Sequence, residues 1–130
     1  MQNLLKKIII NLFLIVNIFT YFIYSSIADT FVYSGGCFWC TEADTEKLDG
    51  VSDVVSGFTA GTTKDPKYIP GKWGDHREAA LVLYDPNKIS FKELVNHVFK
   101  TIDYEDSNGQ FCDRGRSYTC LLYTSPSPRD

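Results

Sequence analysis

The chain has no excess of positive charge: 13 Lys plus Arg stand against 16 Asp plus Glu, a formal charge of −3 over 130 residues. Without a basic field there is nothing to draw in a nucleic acid or an anionic lipid surface, and neither partner is expected. The chain is also too short for a two-domain enzyme, since a compact domain takes about 100–150 residues. Four cysteines are too few for a disulfide-knit scaffold. There is no second close cysteine pair either, because seven residues separate Cys112 from Cys120, and His76 and His97 are scattered. A zinc knuckle built on Cys37 and Cys40 would therefore lack its other half, and no metal is expected. Internal repeats are absent. Apolar side chain is not: 44% of residues are hydrophobic and 15% aromatic, with 22% charged, which can bury a core.

The ends differ from the middle. Lys6 and Lys7 precede an apolar run, Ile8 to Tyr24, and Ser26-Ile27-Ala28 offers a small-x-small cleavage site. Residues 1–28 therefore read as a signal peptide, or as an N-terminal anchor over residues 8–28 if uncleaved. Export to a periplasmic, secreted or secretory compartment is expected, with membrane contact only if the leader stays. Without the two leader lysines, 11 basic residues face 16 acidic ones, a net of −5. Export also places the thiols in an oxidising compartment, where they persist only if something keeps reducing them. At the other end, residues 120–130 lose pattern and finish in Ser-Pro-Ser-Pro-Arg-Asp, read as a disordered and non-native tail.

Between the ends the pattern alternates. Thr30–Tyr33 leans to a strand and closes on Ser34-Gly35-Gly36; Cys37–Leu48 has no Gly or Pro and suits a helix. Val51–Thr59 is a β-branched strand, and residues 60–75 are a loop rich in Gly, Pro, Lys and Asp. Ala79–Tyr84 reads as a strand buried on both faces. Phe91, Leu94, Val95, Val98, Phe99 and Ile102 form one helical stripe, with Ser90 and Glu93 spaced as a capping box. Residues 103–116 are polar loop, and Tyr118–Tyr123 could supply a last strand. The order strand, helix, strand, strand, helix, strand predicts an α+β two-layer sandwich, a ferredoxin-like βαββαβ core with long functional loops.

One motif carries chemistry. A cysteine directly after a strand and a Gly-Gly turn, at a helix start, sits among free backbone N–H groups and the positive end of the dipole, which favours thiolate. Cys37 is thus a candidate nucleophile, with Cys40 one turn away. A structural disulfide and half a zinc site are the rival readings. A thioredoxin-type pair is a poor match, because Phe38-Trp39 replaces the usual small residues or proline.

The segment Gly36-Cys37-Phe38-Trp39-Cys40-Thr41-Glu42 resembles the G-C-F-W-x-x-E signature of the A-type peptide methionine sulfoxide reductases. Further blocks follow in family order: Ser56-Gly57-Phe58-Thr59, Asp65-Pro66-Lys67-Tyr68, Gly74 to Ala79, Tyr84-Asp85-Pro86, and Gln110 to Tyr118. The likeness covers about residues 30–119, so residues 29–119 read as one domain of this kind, incomplete at its C-terminal end. It implies thiol-dependent reduction of methionine S-sulfoxide, free or in proteins, for repair of oxidative damage, through a cysteine sulfenic acid and then a disulfide.

Carried onto this chain, the resemblance makes Cys37 the nucleophile and Glu78 the acid. Tyr68 and Tyr118 would hold the sulfoxide oxygen, Asp113 would polarise the site, and Phe38 and Trp39 would receive the S-methyl group. The candidates for resolving Cys37 are Cys112, preferred for its loop setting, and Cys40. His76 is expected to be structural. No bound cofactor is implied, only an external thiol reductant such as thioredoxin; a monomer is expected. Two other readings stand beside this one: an inactive truncated fragment, and a small C-x-x-C metal-binding module.

Overall fold

The computed structural model describes residues 6, 7, 9–15, 28–69 and 73–123. Its elements are β1 (Asp29–Ser34), α1 (Phe38–Thr45), β2 (Val51–Thr59), β3 (Arg77–Tyr84), α2 (Phe91–Thr101), β4 (Gly109–Gln110), β5 (Asp113–Arg114), a 3-10 turn at Arg116–Tyr118, and β6 (Leu121–Tyr123). The four-stranded sheet runs β2-β3-β1-β6 and every neighbouring pair is antiparallel; β4 and β5 form a separate hairpin. This is the predicted ferredoxin-like order, with the small hairpin inserted between α2 and the last strand.

Strand alternation decides which face is the core. Phe31 and Tyr33 of β1, Ala80, Val82 and Tyr84 of β3, and Val54 of β2 stand on one face, in register across three strands, and all are buried. Leu94 and Val98 of α2 and Ile89 before it complete that cluster. Phe31 stacks on Tyr33 at 5.3 Å and meets the edge of Phe91 at the same distance. α2 carries the expected capping box, Ser90 and Glu93 each satisfying the other's backbone N–H.

The expectation that β3 is buried on both faces does not hold. Leu81 is 38% exposed and its partner Val55 on β2 is 48% exposed, because both helices cover the opposite face. The β-branched, unbroken run gave no hint of that asymmetry. The tail reading is also corrected over its first residues: Leu121–Tyr123 pairs with β1 through Ser34↔Leu121, Tyr33↔Leu122 and Val32↔Tyr123. β1 would otherwise present unpaired backbone groups on that side, and a short apolar segment fills the need. Residues 124–130 and most of the leader lie outside the described residues. Among the described residues, 6, 7 and 9–15 are helical, and no helix is long and apolar enough to cross a membrane.

Candidate active site

Cys37 is the N-cap of α1, with φ −58° and ψ 119°, and its side chain makes no capping bond. The sharp turn before it depends on Gly36, at φ +98°, where an added Cβ would lie 2.8 Å from the Cβ of Gln110. The first helical N–H, that of Phe38, is satisfied from the sheet instead: it donates to Oε2 of Glu78 at 3.0 Å. A helix start is thereby tied to a carboxyl group on β3. No acidic residue stands in its first turn, because α1 begins at Phe38 and Glu42 and Asp44 fall beyond it.

Glu78 is 3% exposed. Burial pushes its pKa up, the Phe38 N–H partly opposes this, and the charge of Asp113 adds to the rise. It stands opposite Phe58 on β2, whose ring lies 5.7 Å from that of Phe38. Phe38, Trp39 and Tyr68 form a contiguous aromatic group, with Trp39 and Tyr68 5.0 Å apart and both 55% exposed. Trp73 stacks on the outer side of Tyr68 at 5.9 Å. Tyr118, on the 3-10 turn, has its phenol pushed up by burial first and then by the charges of Glu78, Asp113, Tyr68 and Cys37. The predicted site residues therefore come from five separate stretches of chain.

Cys40 shares a hydrogen bond with Cys37, and this is the largest of the causes raising the Cys40 pKa, ahead of burial. Cys37, Cys40 and Asp113 line one cleft of about 350 Å³. Cys112 does not: it is exposed at the two-residue turn of the β4–β5 hairpin, between Phe111 and Asp113, which do line it. The loop expected to bring Cys112 to Cys37 is a tight hairpin, whose turn leaves Cys112 exposed and off the cleft. All four cysteines are free thiols. A larger cavity of about 490 Å³, lined by Arg77, Arg116 and Cys120, holds none of Cys37, Glu78, Asp113 or Tyr118. Among the described residues no group of three or more His, Cys, Asp or Glu could hold a metal ion.

Several positioning residues were not singled out from the sequence. Glu42 accepts from the Ser56 N–H at 3.1 Å and from its hydroxyl, while Ser56 Oγ also contacts the Phe38 carbonyl at 3.2 Å. The glutamate of the signature thus fastens α1 to β2. Gln110 is 2% exposed and makes three bonds to the Asp103 and Gly109 backbone, at 2.7–2.8 Å, holding the hairpin against Gly36. His76 donates from Nε2 to the Thr63 carbonyl at 2.8 Å, leaving Nδ1 buried with no partner among the described residues. Its ring sits where a Cβ at Gly61 would come within 2.4 Å. Beside it, Asp75 accepts from the N–H groups of Thr62 and Thr63 at 2.9–3.2 Å, which holds its carboxyl well below the usual range. These bonds fasten Thr62 and Thr63 to Asp75 and His76, on either side of the stretch that carries Tyr68 and Trp73.

A family profile described as "Peptide methionine sulfoxide reductase" matches residues 29–129. The chain belongs to the peptide methionine sulfoxide reductase family. It is 42% identical over 92 residues to peptide methionine sulfoxide reductase MsrA 2 of Rhizobium meliloti, covering 71% of this chain and 46% of that protein. With MsrA 1 of Rhodopirellula baltica it shares 46% identity over 92 residues, 69% of this chain and 48% of the relative. Among solved structures, methionine sulfoxide reductase A of Corynebacterium diphtheriae superposes with a TM-score of 0.71 at 30% identity, covering 77% of this chain and 48% of that one. Mxr1 of Saccharomyces cerevisiae in reduced form gives 0.64 at 28% identity, with coverage of 75% and 59%. The chain spans about half the length of the curated reductases it matches, and the profile match runs past Thr119, through β6, to residue 129.

Proposed function

We propose that this chain reduces methionine S-sulfoxide to methionine, with Cys37 as nucleophile and Glu78 as proton donor. The observation that carries this reading is the buried Glu78 carboxyl, raised in pKa and bonded to the N–H next to Cys37. Attack on a sulfoxide sulfur needs its oxygen to take up a proton as the S–O bond weakens. A buried glutamic acid whose pKa is raised holds that proton more readily than an ordinary surface carboxylate would. Tyr118 and Tyr68 carry phenolic donors, and the Tyr118 phenol feels the charges of Tyr68, Glu78, Asp113 and Cys37, which groups these side chains around the reacting sulfur. The methyl group lies against Phe38 and Trp39, where sulfur–aromatic contact contributes about 0.3–1.5 kcal/mol.

The step balances as follows. The Cys37 thiolate takes the sulfur-bound oxygen as sulfenic acid, the sulfoxide sulfur is reduced to the thioether, and the Cys37 sulfur is oxidised by two electrons. The Cys40 thiol then condenses with that sulfenic acid, releasing water and leaving a Cys37–Cys40 disulfide. Cys40 is favoured over Cys112 because it touches Cys37, and because Cys37 is a cap in non-helical backbone, which relaxes the constraint on an i, i+3 bridge inside a helix. An external dithiol of the thioredoxin class reduces the disulfide. With the N-terminal leader, the compartment of action is an exported one.

The test uses the purified chain, dithiothreitol and the separate S and R epimers of methionine sulfoxide. Consumption of the S epimer alone is expected. No turnover of the S epimer would overturn the proposal.

A further inference from the structure

Cys37, Cys40, Thr41 and Asp44 fall at i, i+3, i+4 and i+7, so they share one side of α1, while Phe38 and Trp39 point to another. Cys37 therefore has two neighbourhoods. One is the aromatic group around Phe38, Trp39 and Tyr68, which suits a methyl sulfoxide. The other is the cleft of about 350 Å³, which leads from the two thiols along α1 to Thr101 at the end of α2. That size is within the range of ligand pockets, about 300–1,000 Å³, and of its lining the proposed reaction uses only Cys37, Cys40 and Asp113.

Its far wall is Phe111. This residue is 64% exposed and sits at φ +51°, in the left-handed region that a bulky side chain rarely enters. It occupies the first position of a two-residue hairpin turn, where a glycine would be free of strain. The buried Gln110 next to it holds the hairpin rigidly. An exposed aromatic ring, held at a conformational cost beside a reactive thiol and not packed in the core, is placed to meet something from outside. Asp44 lines the same cleft but is bridged to His97 at 2.9 Å and to Lys47 at 3.6 Å, whereas Asp113 has no ion-pair partner among the described residues and makes the cleft unfavourable to another negative charge.

We infer that this cleft is a subsite for polypeptide substrates. It takes the neutral or basic side chain adjacent to the oxidised methionine and packs it on Phe111 while the sulfoxide lies in the aromatic group. The inference rests on the activity proposed above and deepens it: the residue beside the oxidised methionine sets how well a substrate is used, and an acidic neighbour disfavours it.

The experiment measures kcat/KM, with dithiothreitol as reductant, for free methionine S-sulfoxide and for blocked pentapeptides whose central methionine S-sulfoxide is flanked by Leu, Lys or Glu. Leu- and Lys-flanked peptides should exceed the Glu-flanked one by about tenfold or more. Phe111→Ala should lower the Leu-flanked value about tenfold and the free amino acid value less than about twofold, and Phe111→Leu should restore most of the loss. Thr101→Trp, which fills the cleft from α2 without touching the hairpin, should act like Phe111→Ala. Equal losses for peptide and free substrate, no loss for either, or a change confined to the KM of a thioredoxin would overturn the subsite; the last result would make the cleft a reductant dock. Peptide affinity for Cys37→Ser, read from Trp39 and Trp73 fluorescence, tests the subsite without turnover. Leu-flanked peptide should bind more tightly than Glu-flanked, and equal affinities would overturn the inference. If wild type turns over no sulfoxide, the proposed activity fails, while that binding contrast still decides the subsite.

Discussion

The two helices begin in opposite ways. α2 is closed at its N-terminus by its own sequence: Ser90 accepts from the Glu93 N–H, and Glu93 accepts in return from the Ser90 N–H at 2.8 Å and from its hydroxyl at 2.6 Å. α1 has no such cap. Its entry residue is a cysteine whose sulfur caps nothing, and its first N–H is bonded to Glu78, 40 residues away in sequence. One helix uses its terminus for stability, the other leaves it open to a thiol and a buried acid. The difference teaches that the site is assembled where the fold forgoes a local capping bond and replaces it with a long-range one.

The strongest way to break this contrast is Cys37→Ser. It places at α1 the residue type that caps α2, so thermal stability should hold or rise while S-sulfoxide reduction falls at least about 10³-fold, an alcohol being a far weaker nucleophile. A melting curve and a single-turnover assay on the same sample check both halves.

Glu78→Gln keeps the shape and the acceptor for the Phe38 N–H but cannot give a proton, so kcat/KM should fall roughly 10²- to 10⁴-fold. The pH dependence sharpens the assignment. Because burial raises the Glu78 pKa in the folded chain, wild type is favoured below the ordinary glutamate range and loses that advantage as pH rises through the raised value. The stability of Glu78→Gln relative to wild type should therefore increase with pH over that window. The wild-type rate should decline over the same window, and the variant should lack that limb.

Resolution gives a smaller effect on the first turnover but a clear one on the product. After one equivalent of methionine S-sulfoxide, mass mapping should find Cys37 bonded to Cys40. Cys40→Ser should leave the sulfenic acid of Cys37 in place, and Cys112→Ser should change nothing. A Cys37–Cys112 bridge would require the hairpin to open.

The smallest effect belongs to the other helix. Ser90→Ala should cost about 1 kcal/mol of stability with activity untouched. Its hydrogen bonds hold Glu93 below the usual carboxylate range, so the wild-type advantage should be full above that range and shrink as pH falls through the lowered value. Denaturant titrations at two pH values measure it.

Much of this was legible without coordinates. The period of 3.6 over residues 91–102, the capping box, and the alternation of β2 are local properties, and local forces decide them. The Gly35-Gly36-Cys37 turn marked the nucleophile for the same reason, since a sharp turn into a helix is written in adjacent residues. Family motifs carried Glu78, Tyr68, Tyr118 and Asp113, but composition and periodicity alone would not have joined them.

Other features depended on contacts between distant segments. Leu81 looks like a core residue in a run of six apolar ones, and only the placing of both helices on the other face leaves it in solvent. Glu42 reads as a helix-surface acid until β2 brings Ser56 to it. Cys112 looked mobile because its neighbours are polar, whereas the buried Gln110 draws them into a hairpin that presents Phe111 and Asp113 and turns Cys112 out. The sequence by itself determined the order of elements, the capped helix and the candidate nucleophile, because each follows from the chemistry of residues within one or two turns of chain. Only the tertiary structure decided which carboxyl is buried and raised in pKa, which thiol meets Cys37 and which face of the sheet is left open. Those depend on desolvation and proximity between segments tens of residues apart, which no local pattern encodes.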